Sequence, residues 1–164
     1  MAQTILIPTD FSIDSIQVLR EYLANNNTQN KLQVVFAAGY DTGNSITTLL
    51  FHSRSKIMKK MNLDSFNEAL HIIENKYSNI LNGIRIEFFS GWNNAAFQNF
   101  LTGNHIDHIV YTSDMRLQSP CNEWFDLTPF IKKTRTAQTA IPLHITTEIP
   151  KEFNSLSPLF SKLS

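Results

Sequence analysis

Asp10 is the side chain best placed to do chemistry. It ends the run "ILIPTDFS", where a short apolar stretch meets Pro-Thr-Asp and then a serine that opens an amphipathic segment. A strand that carries a carboxylate into a sharp turn ahead of a helix presents it where ligands bind in open α/β sheets. The competing reading is local: an aspartate there also satisfies backbone donors of its own turn or caps the helix. The local reading is the one expected. His105, Asp107 and His108 in "NHIDH" suggest a metal site only if a helix brings the histidines together, and the helix ends before them, so no metal is expected. Cys121 has no CxxC partner and no basic neighbour in "QSPCNEWF" to make it a nucleophile. Trp124 and Phe125 in the same loop read as a small plug folded onto the domain, the alternative being an exposed anchor for a partner. The basic stretch Arg54–Lys60 lacks interleaved stacking aromatics and reads as a solvated helix face.

The elements that position these residues follow from periodicity. Thr4–Pro8 and Leu32–Gly39 are apolar runs of strand length, expected to be buried on both faces. Between them Ser12 caps a helix with Asp14 in its first turn, and Ile16, Leu19 and Leu23 face inward. The segment Tyr40–Asn62 reads as a loop with partial helix. Asp64 caps the next helix, whose stripe is Phe66, Ala69, Leu70, Ile73 and Tyr77. Ile84–Gly91 is a third strand, and "NNAAFQNFLTGN" is a helix ending on Gly103 as C-cap. Asp107–Ser113 is a fourth strand. Thr128 and Pro129 open another helix, and Ile141–Glu148 is a fifth strand. Strands alternating with helices define an α/β fold, a doubly wound, five-stranded parallel sheet with helices on both faces.

Composition narrows the function classes. The chain has 164 residues, 42% hydrophobic, and its basic and acidic residues balance at 14 each. One domain with a real core fits that size, and no electrostatic footprint for nucleic acid or anionic membrane is present. The single cysteine excludes an internal disulfide and suits a reducing compartment. No apolar run approaches the roughly 18 residues of a membrane span, and no export leader is evident. A cytoplasmic protein is expected.

The wording of four turns resembles the universal stress protein family: "ILIPTDFS" at the first strand, "SGWNNAAFQNFL" entering the helix after the third, "DHIVYTS" at the fourth and "AIPLHIT" at the fifth. The resemblance runs from about Thr4 to Thr147. It implies a Rossmann-like sheet of the adenine nucleotide alpha hydrolase type, paired into homodimers through the last strand, here Pro142 to Thr147. Nucleotide-binding members hold ATP at the ends of the first and fourth strands. The aspartate matching Asp10 meets the nucleoside, and the turn near Ala37 and Ala38 meets the base. Pro8, Thr9, Asp10 and Ala38 are therefore the candidate residual nucleoside site.

The family's phosphate loop, G-x-x-G and further on G-S or G-T, is missing. No glycine occurs from Tyr111 to Thr134, and Thr112, Met115, Pro129 and Phe130 stand where glycines or Gly-Ser are expected. Glycine there lets backbone N–H groups approach a phosphate, and Pro129 has no N–H to offer. Asp114 and Glu123 add repulsion, although Arg116, Lys132 and Lys133 offset it in part. ATP is not expected as a cofactor. Nothing forms a hydrolytic triad, a P-loop or a dinucleotide fingerprint. The expectation is a non-catalytic stress-response or regulatory module with a protein partner. A small-ligand (nucleoside or other metabolite) sensor using the Asp10 turn is the alternative, and a nucleotide hydrolase is a weaker one. Residues 1–148 form the domain. The extension 149–164 carries Phe153, Leu156, Leu159, Phe160 and Leu163, and is expected to pack on the domain or on a partner.

Overall fold

The first strand is the core of the protein. In this computed structural model, which describes residues 2–27, 29–43, 54–61 and 63–143, β1 spans Gln3–Pro8. Its Ile5, Leu6 and Ile7 are fully buried. Successive strand side chains point to opposite faces, so Ile5 and Ile7 enter one apolar cluster and Leu6 the other. That two-sided burial explains why the run is continuously apolar rather than alternating.

Helix α1 (Ile13–Asn25) starts where expected: the Ser12 side chain accepts from Ser15 N, and Asp14 lies in the first turn. Ile16, Leu19 and Leu23 are buried on β1, while Arg20 faces out. Strand β2 (Leu32–Tyr40) follows, then helix α2 (Arg54–Lys60) and helix α3 (Asp64–Lys76). Phe66, Leu70 and Ile73 are the buried stripe of α3. Its N-cap is Leu63, so Asp64 is the first helical residue rather than the cap. Residues 44–53 and 62 of the difficult segment lie outside the described residues.

Strand β3 (Leu81–Phe89) begins three residues earlier than Ile84. Helix α4 (Asn94–Gly103) is capped by Asn93, whose side chain accepts from Ala96 N. Its C-terminus corrects the glycine reading. Gly103 is still helical, Asn104 is the cap, and His105 takes the left-handed conformation at φ 57°. His105 N donates to Thr102 O and Ile106 N to Leu101 O, the paired bonds that close a helix after a left-handed residue.

Strand β4 (His108–Tyr111) is followed by a two-residue strand β5 (Trp124–Phe125), helix α5 (Thr128–Ile131) and strand β6 (Gln138–Ala140). Helix α5 is one turn, not a long helix. Its N-cap is Leu127, and the carboxylate of Asp126 does the capping, accepting from Thr128 N and Thr128 Oγ1 at 2.8 and 2.7 Å. Among the described residues the last parallel strand, Gln138–Ala140, precedes the expected Ile141–Glu148. Only Ile141 N extends the ladder, onto Tyr111 O, and residues 144–148 lie outside the described residues, as does 149–164. Gln138, Thr139 and Ala140 are exposed on a sheet edge, so no apolar run marks them.

The parallel order is β3-β2-β1-β4-β6, with β5 antiparallel to the end of β2. Helices α1 and α3 cover one face, where Ile16, Leu19, Phe66 and Leu70 meet Ile5, Val34 and Phe36. Helix α4 covers the other, where Phe97 and Leu101 meet Leu6, Phe89 and Ile109. The α/β architecture is thus the doubly wound one. Order reverses between β1 and β4, and the crevice outside their carboxyl ends is where such sheets hold ligands.

Candidate functional site

Asp10 reaches that crevice through a strained turn. Phe11 sits at φ 62°, in the left-handed region that bulky residues avoid. Local bonds over-determine this geometry: Phe11 N donates to Thr9 Oγ1 at 2.9 Å, and Thr9 Oγ1 shares a proton with Ser15 Oγ at 2.7 Å. The Asp10 carboxylate is only 8% exposed. Its Oδ1 accepts from Ser12 N at 3.0 Å and Ser12 Oγ at 2.5 Å. Its Oδ2 points across the crevice and accepts from Gln118 N at 2.9 Å, a bond spanning over a hundred residues of chain.

Gln118 belongs to a strap, residues 112–127, that leaves β4 and folds back over the crevice. The strap's end inserts itself into the sheet. Strand β3 occupies one edge of β2 through Gly39, and β1 occupies the other only as far as Ala37. β5 takes the edge that β1 vacates, pairing Phe125 with Gly39 and Trp124 with Tyr40. Trp124 and Phe125 point to opposite sides, so the two rings enter the two cores: Trp124 joins the cluster of Phe11, Tyr40 and Met61, and Phe125 packs against Phe89 and Phe130. The indole N–H of Trp124 donates to Thr9 O at 3.2 Å, which satisfies the one polar group its burial would strand.

Gly39 makes the insertion feasible. A Cβ there would lie 2.3 Å from the Phe125 ring. An isolated glycine in a strand signals such a close approach; the sequence reading used Gly39 only as a strand boundary.

The strap is also fastened along its length. Asp41 N donates to Glu123 O at 2.7 Å, the Lys60 ammonium pairs with the Glu123 carboxylate, and Leu143 N donates to Asp114 Oδ2 at 2.8 Å. The hydrogen bond to Lys60 holds the Glu123 carboxyl below its ordinary range, and the same bond raises Lys60. Both side chains stay partly exposed, so the pair adds little stability. Burial raises the phenol of Tyr40 nearby.

The residues singled out from sequence are brought together and then covered. Pro8, Thr9 and Asp10 follow one another at the end of β1, Ala38 lies on the adjoining strand, and all four are buried. Among the described residues, a cavity of about 10 Å³ lies at the ends of β1 and β4, lined by Pro8, Val18, Tyr111, Thr112, Met115, Leu117 and Thr128. That holds one water at most, against the hundreds of Å³ of a cofactor pocket. At the start of α5 the N–H and hydroxyl of Thr128 bind the Asp126 carboxylate.

The NHIDH histidines do not converge. His105 serves the helix end, Asp107 Oδ2 accepts from Thr4 N at 2.8 Å, and His108 Nε2 shares a proton with Thr139 Oγ1 at 2.6 Å. Among the described residues no cluster of three or more His, Cys, Asp or Glu side chains stands ready for a metal. Cys121 Sγ lies half-buried, 3.7 Å from Met61 Sδ. No described helix is long and apolar enough to cross a membrane.

Comparison with solved structures places the fold. The universal stress protein UspA from Lactobacillus plantarum superposes with a TM-score of 0.52 at 14% identity, over 85% of this chain and 97% of that one. The hypothetical protein PH0823 superposes with a TM-score of 0.50 at 15% identity, over 86% of this chain and 96% of that one. The chain therefore has the universal stress protein fold, as the four turns anticipated. No protein-family model matches the sequence. No curated protein matches it either.

Proposed function

We propose that this chain is a non-catalytic universal-stress-protein-like module that does not bind ATP in that family's way. It serves stress response or regulation through contacts with other proteins. The observation that carries the reading is Asp10 itself: both of its oxygens are engaged by the chain, Oδ1 by Ser12 and Oδ2 by Gln118 N from the strap. The absence of glycine from Tyr111 to Thr134 supports it, since the backbone there is not free to cradle phosphate. A cytoplasmic homodimer joined through the segment Pro142–Thr147 belongs to this proposal. Most of that segment lies outside the described residues, so the dimer rests on the family resemblance.

A second reading, a small-ligand sensor at Asp10, draws support from Phe11. Strain of that kind persists where surrounding structure over-determines it, and it concentrates at ligand sites. Calorimetry with ATP, ADP, AMP and adenosine, with Mg²⁺, on the native chain and on Asp10→Ala separates the readings. Silence with all four ligands is expected. Tight ATP binding lost in the variant overturns the proposal, and binding of adenosine or AMP without ATP turns it to the sensor.

A further inference from the structure

The sheet face that α1 and α3 cover is left open toward β6. Thr139 stands opposite Val110 in register and so points to that face, where its Oγ1 shares a proton with His108 Nε2 at 2.6 Å. Between these side chains and the last turn of α1 runs a trough of about 500 Å³, lined by Tyr22, Asn25, Asn26, His108, Thr139 and Ile141 among others. That is the volume of a binding groove rather than of a packing gap. No described lining residue carries a fixed charge, and burial lowers the pKa of His108, which favours its neutral ring. The described chain leaves along the same trough: Pro142 lines it, and Ile141 and Leu143 pack on the apolar cluster of this face. Residues 144–164 lie outside the described residues.

We propose that residues 153–161 of this same chain dock in the trough and cover the face beside α1. The chemistry of the segment fits the lining. It reads "FNSLSPLFS", a run without a charge between Glu152 and Lys162. Phe153, Leu156, Leu159 and Phe160 bring apolar surface to bury, and Asn154 with Ser155, Ser157 and Ser161 brings partners for the amides and hydroxyls of the lining. A charged segment would lose its hydration there with nothing to pair it. Reach is not limiting, since the linker from 144 to 152 spans about 30 Å when extended. Tethering favours this occupant over a second copy, because a segment leaving from the rim is held at an effective concentration on the order of millimolar. The segment covers the face of β6 and not its hydrogen-bonding edge, so the homodimer proposed above is unaffected. The docking is also independent of what the Asp10 turn binds.

The test is thiol labelling of the full chain in a Cys121→Ser background. Thr139→Cys places a reporter in the trough, at a position exposed among the described residues. Its rate of reaction with a small maleimide is compared with and without Leu156→Asp and Phe160→Asp, whose charges the trough does not solvate. Asn99→Cys, exposed on α4 at the opposite face, is the control. Thr139→Cys is expected to react at least about tenfold more slowly with the native tail than with the charged one, at any protein concentration. Asn99→Cys is expected to react alike in both. Equal rates at Thr139→Cys overturn the proposal. So does protection that survives the tail charges, or that grows with protein concentration, which would put a second copy in the trough. Asn25→Cys, exposed on the last turn of α1, repeats the reading from the other wall and keeps the test decisive if Thr139→Cys does not fold.

Discussion

Gly39→Ala tests the strap through one methyl group. The added Cβ would sit 2.3, 2.4 and 2.6 Å from three ring atoms of Phe125. A ring wedged among Phe89 and Phe130 has no free end to swing away. Overpacking of this kind costs about 1–3 kcal/mol, and an overlap this deep belongs near the upper end. Against it stands a gain of about 0.4–1 kcal/mol, because alanine restricts the unfolded chain and Gly39 has no positive φ to make it strained. The net loss is about 2 kcal/mol, a fall in Tm of roughly 4–8 °C for a chain of this size. Urea unfolding measures it. Repeating the substitution in a Phe125→Ala background should abolish the loss, since the clash partner is gone, and the cycle isolates the contact. If Gly39→Ala is harmless, or if its cost survives the removal of Phe125, the strap does not pack where the structure puts it.

Three further outcomes are expected. Asp10→Ala strands Ser12 N and Gln118 N, and should cost about 2–4 kcal/mol in urea unfolding, more than a mere surface aspartate. His105→Gly relieves a left-handed side-chain residue at the end of α4 and should stabilise by about 0.5–1 kcal/mol in the same assay. Burial lowers the pKa of His108, so the folded state binds its proton less readily than the unfolded chain. Stability contributed by its neutral form is then lost as pH falls below the ordinary histidine value toward the depressed one. A pH series of thermal melts on the native chain and on His108→Gln should show that fall in the first and a shallower one in the second.

Several features of the site were legible because they are local. Ser12 announces a helix start by spacing alone, and it caps as a side chain within three residues can. The continuous run Ile5–Ile7, short, β-branched and closed by Pro8, reads as a strand covered on both faces, and all three residues are fully buried. Features that misled share a cause. Gly103 suggested a cap, but the pairing of Asp107 with Thr4 N and the docking of Ile106 favour His105 in the left-handed position. Ile141–Glu148 was read as the last strand from its apolar run; residues 144–148 lie outside the described residues, and among the described ones an edge strand, which needs no such run, forms at Gln138–Ala140.

The sequence by itself determined the layering, the turn that presents Asp10, and the loss of the glycines a phosphate would need. These depend on residue type, periodicity and near-neighbour hydrogen bonds, all of which act over a few residues. Only the tertiary structure decided what Asp10 holds. Its partner Gln118 lies 108 residues further along the chain, and Trp124 reaches Thr9 across a similar gap in sequence. Such contacts are set by which strand edge is left vacant and by how closely two backbones approach at Gly39. Those quantities exist only once the sheet has assembled.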